Sequence, residues 1–202
     1  MPAIDDDLPE YWPRASDRLF VQNCWAIDAE IATFRGERLY RMKKAFKTAA
    51  DLLVSQTEKS AHERRNLVWP IVFCYRQYIE LALKDMIAGY GSRIVPEIKS
   101  DWNSHGLQGL LKSYKTLIDS TLSVNANDLP EVVAVEACIE EFDRIDAGSY
   151  TFRYPTDKKG RQTEIPISSI DLYHLRNVME GIYVFLDANE SALNAHFDVS
   201  YQ

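Results

Sequence analysis

The most chemically pointed pattern in the chain is an arginine, a glutamate and a lysine at steps of four: Arg76, Glu80 and Lys84. They lie within Cys74-Tyr-Arg-Gln-Tyr-Ile-Glu-Leu-Ala-Leu-Lys84. At about 100° per residue, Arg76, Gln77, Glu80 and Lys84 share roughly a quarter of a helix circumference. Nearly everything else from Ile71 to Ile87 is apolar or aromatic, so this helix is surrounded by others and its polar stripe must meet a partner, a cleft or water. Two chemistries follow. One is a partly buried ion-pair network that locks a bundle. The other is a cleft in which Arg76 and Glu80, joined by Tyr78 and Lys84, hold a ligand. His105 then offers a proton donor or acceptor near neutral pH, which makes Arg76, Glu80 and His105 the catalytic candidates. Arg153, Tyr154 and Lys158, on a later loop, would add positive charge and a stacking surface, the groups that grip phosphates and splayed bases.

Other chemistries find no support in the spacing. None of His62, His105, His174 and His196 lies three residues after a glutamate, so no metal site of the carboxylate-bundle type is expected. No glycine-rich phosphate loop and no GxSxG elbow occurs, and no cofactor is expected. Cys24, Cys74 and Cys138 are widely spaced and set among apolar residues, which reads as buried reduced thiols.

Charge narrows the partners. The formal net charge of -7 argues against an indiscriminate polyanion binder. Its distribution is uneven. Residues 35–65 hold nine Lys/Arg against four Asp/Glu, and residues 128–146 hold seven acids and one arginine. These two segments are expected to be solvated helix faces or to pair, within the fold or across a dimer. Acidic residues and prolines at the start lack a signal peptide's layout. The apolar run 67–87 is interrupted by charges, so no membrane span and a cytoplasmic location are expected.

The elements that must position these residues are helical. The hydropathy pattern predicts an all-α bundle of about five helices with a long loop, about 146–167, before the last. Residues 1–35 read as a partly ordered arm, pinned by Tyr11 and Trp12, with a short helix or packed coil around Trp25 and Ile27. Residues 36–188 form the bundle, and 189–202 a polar tail. The first helix spans 37–59, with Leu39, Met42, Phe46, Ala49 and Leu53 inward and Arg41, Lys43, Lys44 and Lys47 on the other face. Residues 60–66 read as a link, because Pro70 fits the first turn of the central helix. Gly89 and Gly91 are expected to stop that helix. The next runs from 106 to 119, with capping oxygens from Asn103 and Ser104. Asp128 and Glu131 read as a capping box for the fourth. Ser168, with Asp171 at the box position, caps the last. Leu172, Leu175, Met179, Ile182 and Leu186 give it bundle spacing.

Three stretches also carry a resemblance. Tyr75-Arg-Gln-Tyr-Ile-Glu-Leu-Ala-Leu-Lys84 is similar to an (Y)RxYxELxLK helix, His105-Gly-Leu-Gln-Gly-Leu-Leu111 to an HxLxxL helix start, and Phe152-Arg-Tyr-Pro155 with Asp157-Lys158 to an FRYPxDK loop. In that order they resemble a branch of the HEPN-like superfamily over about residues 65–187. The resemblance implies a small helical bundle, homodimeric and associated with RNA or nucleotides, of the kind found in bacterial defence, toxin–antitoxin and RNA-processing systems. Ribonucleases of that superfamily carry an arginine followed, after four to six residues, by a histidine, and no pair here has that spacing. The expectation is therefore RNA or nucleotide binding without catalysis. Two alternatives stand beside it: a protein-interaction or dimerisation module acting as an antitoxin or accessory subunit, and a metal-independent ribonuclease with a non-standard site.

Overall fold

The computed structural model describes residues 13, 15–21, 29–98, 102–157 and 159–200, with the side chains of 198–200 excepted. The expectations for Tyr11, Trp12, Cys24, Trp25, Ile27 and Lys158 lie outside the described residues. Five long helices form an all-α bundle: α1 (Arg35–Thr57), α2 (Ala61–Met86), α3 (Leu107–Leu122), α4 (Pro130–Asp146) and α5 (Leu172–Ser200). Among the described residues the only β pairing is one bridge, Thr156 to Gln162.

Helix α2 is the hub. It packs against α1, α3 and α5, while α4 packs against α3. Lys43 meets Asp85 and Asp51 meets Tyr75, so α1 and α2 run antiparallel. Leu107 and Lys115 on α3 meet Asp143 and Glu136 on α4, the latter pair at 2.8 Å, so these two are again antiparallel. The core gathers Ile71, Tyr75, Ile79, Leu83, Leu111, Leu117, Ile139 and Met179 between these helices.

Several local expectations are corrected. Helix α2 starts at Ala61, nine residues before Pro70, behind Ser60, whose Oγ accepts from Glu63 N at 3.1 Å. Pro70 sits inside the helix, where the ring lacks the N–H that would bond four residues back. The Gly89–Gly91 segment does not stop the helix either. Residues Ile87–Gly91 widen into a π turn and Ser92–Ile94 add a further α turn. Gly91 is there for space, since a Cβ would stand 2.8 Å from Ile98 Cγ2.

Caps differ as well. Asp128 belongs to a 3-10 turn, and α4 opens on Leu129 and Pro130 with no side-chain cap, so the box with Glu131 is not made. The first N–H groups of α3 are met from across the bundle, Leu107 N and Gln108 N by Asp143 at 3.4 and 3.2 Å. Asp171 itself caps α5, accepting from Tyr173 N and His174 N at 3.0 Å. The stretch expected to be a polar tail from 189 continues α5 to Ser200, with Leu193 in the core.

The basic face of α1 is the largest surprise. Lys43 and Lys47 are buried, while Met42 is 42% exposed. Lys43 Nζ donates to Asp85 and Glu190, each at 2.6 Å. Lys47 Nζ donates to Asp51 and Glu180, also at 2.6 Å. Among the described residues these lysines pair with acids of α1, α2 and α5, not with the acidic stretch 128–146. That stretch supplies Asp143 to cap α3 and Asp146 to tie the following loop.

Candidate functional site

The steps of four in Arg76, Glu80 and Lys84 place the three on one face of α2, as the period requires. That face is closed. Arg76 is 0% exposed, Glu80 1% and Lys84 3%. Arg76 Nη1 donates to Glu80 Oε2 at 3.1 Å, and Lys84 Nζ to Glu80 Oε1 at 2.9 Å. The remaining Arg76 donors reach backbone. Nε bonds the Asp146 carbonyl at 3.0 Å, and Nη2 bonds the carbonyls of His105 at 2.6 Å and Ala147 at 3.3 Å. Lys84 adds the Trp102 carbonyl at 3.3 Å.

One guanidinium therefore staples α2 to the segment entering α3 and to the segment leaving α4. Buried carbonyls at both irregular segments gain donors they would otherwise lack. The charges balance locally, with Arg76 and Lys84 against Glu80 and Asp146. Asp146 lies 3.7 Å from Arg76 Nε, and its Oδ1 accepts from Tyr150 N at 2.6 Å and Thr151 N at 2.9 Å. The network thus ends at the root of the long loop.

His105 is brought to this network, with Nδ1 3.0 Å from Glu80 Oε1 and a side chain 52% exposed. Arg76, Glu80 and His105 do converge, but as a sealed ion pair with a histidine at its edge, not as an open cleft. Tyr78 points elsewhere. It is 3% exposed, and its ring lies 5.9 Å from Tyr183 on the α1–α5 side of α2. Burial, followed by Tyr183 and then the acids around it, pushes its hydroxyl pKa well up.

Arg153 and Tyr154 are not part of this network. After Asp146 the chain turns through Ser149, at φ 56°, and folds back as a hairpin around the Thr156–Gln162 bridge. Asp157 builds its tip. Its Oδ1 accepts from Lys159 N at 2.8 Å and Arg161 N at 3.0 Å, and Arg161 returns to Oδ2. Backbone and side-chain bonds from Arg161 hold the Asp157 carboxyl below its ordinary range.

The loop packs on the first half of α2. Phe152 is buried with its ring 6.1 Å from Trp69, and Arg153 lies over Phe73 and Tyr154 at 5.7 and 5.6 Å. Between loop and helix two hollows open. One, of about 1150 Å³, is lined by Trp69, Arg153, Tyr154 and the segment 162–167. The other, of about 380 Å³, lies between Arg64, Arg65, Trp69 and residues 165–173. Neither is lined by Arg76, Glu80, Lys84 or His105. Trp69, Tyr154 and Tyr173 show 46%, 47% and 45% of their surface on this face.

Sequence reasoning missed Arg64 and Arg65, having placed them in a link, and gave Trp69 no role. A serine three residues before Glu63 was the available signal for an earlier helix start. Among the described residues, no group of three or more His, Cys, Asp or Glu is arranged to hold a metal ion, and no helix is long and apolar enough to cross a membrane. Cys74 and Cys138 are free thiols, and burial raises both pKa values. No family model, curated protein or solved structure matches the chain.

Proposed function

We propose that this chain is a HEPN-like helical protein that binds RNA or a nucleotide-bearing partner through the face formed by Arg64–Trp69 and the 150–167 loop. One observation carries the reading: arginines with no carboxylate partner among the described residues, and half-exposed aromatic rings, line the same two hollows. Arg64 and Arg65 line the smaller hollow and Arg153 the larger, and none of the three forms an ion pair with a carboxylate among the described residues. In an acidic protein whose buried α1 lysines, Lys43 and Lys47, each hold two carboxylates, that local surplus of donors favours an anion. Trp69 and Tyr154 give it a planar partner.

The reading does not include catalysis, because Arg76 and Glu80 face the interior. It places the protein in the cytoplasm, in keeping with its free thiols. The test is binding of a single-stranded RNA 12-mer, followed by fluorescence anisotropy at several salt concentrations. Affinity falls as salt rises, and Arg153→Ala lowers the slope of log K against log salt by about 1. A salt-independent or absent response defeats the reading.

A protein-interaction reading has its own support. Leu19 and Phe20 are 94% and 95% exposed, and Ile31 and Phe34 both 78%, which leaves apolar surface ahead of α1 for a second copy to cover. A homodimer mass by light scattering that Leu19→Asp with Phe20→Asp converts to a monomer supports it. A monomer at every concentration overturns it.

A further inference from the structure

We infer that the 380 Å³ hollow beside Arg65 receives a terminal phosphomonoester of a nucleic-acid strand, an inference that rests on the binding face proposed above. The first ground is charge. The buried lysines of α1, together with Arg76, Lys84 and Lys115, each meet a carboxylate. Arg64 and Arg65 form no such pair among the described residues, and the Arg64 bond in the structure runs from Nη1 to the Thr57 carbonyl at 3.1 Å. Two arginines lining one hollow match a group carrying nearly two negative charges. A phosphomonoester carries about 1.5 to 2 at pH 7, whereas an internal diester carries one.

The second ground is shape. The volume lies at the low end of ligand pockets, roughly 300–1,000 Å³, and suits one nucleotide rather than a running strand. The start of α5 closes one side. Trp69 lines both hollows, so a terminal base stacked on it leaves its strand heading toward Arg153 and Tyr154. Asp171 also lines the smaller hollow, but its Oδ1 is bound to Tyr173 N and His174 N, and the helix dipole opposes its charge. The phosphate therefore sits on the arginine side.

Three versions of one internally labelled single-stranded RNA 12-mer test this: with a 5′-phosphate, with a 3′-phosphate, and with hydroxyls at both ends. The inference expects one phosphorylated version to bind about tenfold tighter than the hydroxyl version, a difference of one decade in Kd. Arg65→Ala removes that advantage, whereas Arg153→Ala weakens all three versions alike. Arg65 is exposed, so the variant keeps its fold, which circular dichroism checks. Equal binding of the three versions, or an advantage that survives Arg65→Ala, overturns the terminal-phosphate inference and leaves the binding face standing. Absence of binding by all three overturns both.

Discussion

Arg76 and Glu80 are bonded at 3.1 Å, one turn apart on α2, with neither side chain open to solvent. The same guanidinium reaches the carbonyls of His105, Asp146 and Ala147. The stripe that looks like a reactive site thus acts through architecture: it fixes where the 150–167 loop leaves the bundle. Arg153 and Tyr154 on that loop depend on this anchor for their position against Trp69 on α2.

Removing Arg76 should therefore cost more than any other single charge. Arg76→Ala leaves Glu80 and Asp146 buried beside three carbonyls that lose their donor. Such uncompensated burial is worth about 3–5 kcal/mol. Urea unfolding followed by circular dichroism measures it. Arg76→Lys should recover only part, because a lysine cannot span the same set of acceptors. A loss below about 1 kcal/mol for Arg76→Ala, the scale of an exposed pair, would show that the network is not closed.

The i,i+4 spacing made the Arg76–Glu80–Lys84 network legible in the sequence, and the hydropathy period gave the five helices. Their joints were not legible. Asp143 caps α3 and Asp146 ties the loop, yet both read as members of an acidic helix face, because a trans cap depends on packing and not on local order. Lys43 and Lys47 read as part of a solvated face or as partners of the stretch 128–146 for a similar reason: the carboxylates that allow their burial, Asp85, Glu180 and Glu190, are far along the chain. Pro70 misplaced the start of α2, and with it the face that carries Arg65 and Trp69.

Asp146→Ala should loosen the loop without breaking the bundle. It strips the acceptor from Tyr150 N and Thr151 N, at about 1–3 kcal/mol for each buried donor left unmet. Limited proteolysis should then cut within 150–167 faster than in the parent protein, and RNA affinity should fall with it. An unchanged digestion pattern would mean that the loop is held elsewhere, by Phe152 on Trp69.

Stability should fail on the alkaline side. For Lys43 and Lys47 burial is the largest single influence and lowers the pKa. The bonds to Asp85 and Glu190, and to Asp51 and Glu180, together outweigh it and hold both above the ordinary 10.5. A raised folded value stabilises fully below 10.5 and is lost as pH climbs through the folded value. Burial likewise pushes Tyr75, Tyr78 and Tyr114 above 10.0, with the same sign. The urea midpoint should stay level near neutral pH and fall above about pH 10, with tyrosinate absorbance rising at the unfolding step. Tyrosinate appearing well before unfolding would contradict it.

Trp69→Ala should weaken RNA binding by about 1–3 kcal/mol, the range for loss of one stacked base. Trp69 is 46% exposed, so the change leaves much of the core contact of α2 in place. Trp69→Phe should restore part of the affinity, since it keeps a π face of smaller area. Anisotropy with the same 12-mer reads all three proteins. Equal affinity for Trp69→Ala and the parent would remove stacking from the account.

The two glycines at the end of α2 should behave oppositely. At Gly91 an added Cβ would stand 2.8 Å from Ile98 Cγ2, inside van der Waals contact, and also near Ile87. Gly91→Ala should destabilise by about 1–3 kcal/mol through overpacking. At Gly89 nothing lies within 4 Å, and its backbone is not in the left-handed region, so Gly89→Ala should be neutral or slightly stabilising through the unfolded state. Ile98→Ala has its own cavity cost but removes the clash, so the double change Gly91→Ala with Ile98→Ala should cost less than the sum of the two. Additive effects in that cycle would mean that the π turn shifts to admit the methyl group, and that close approach is not why position 91 is a glycine.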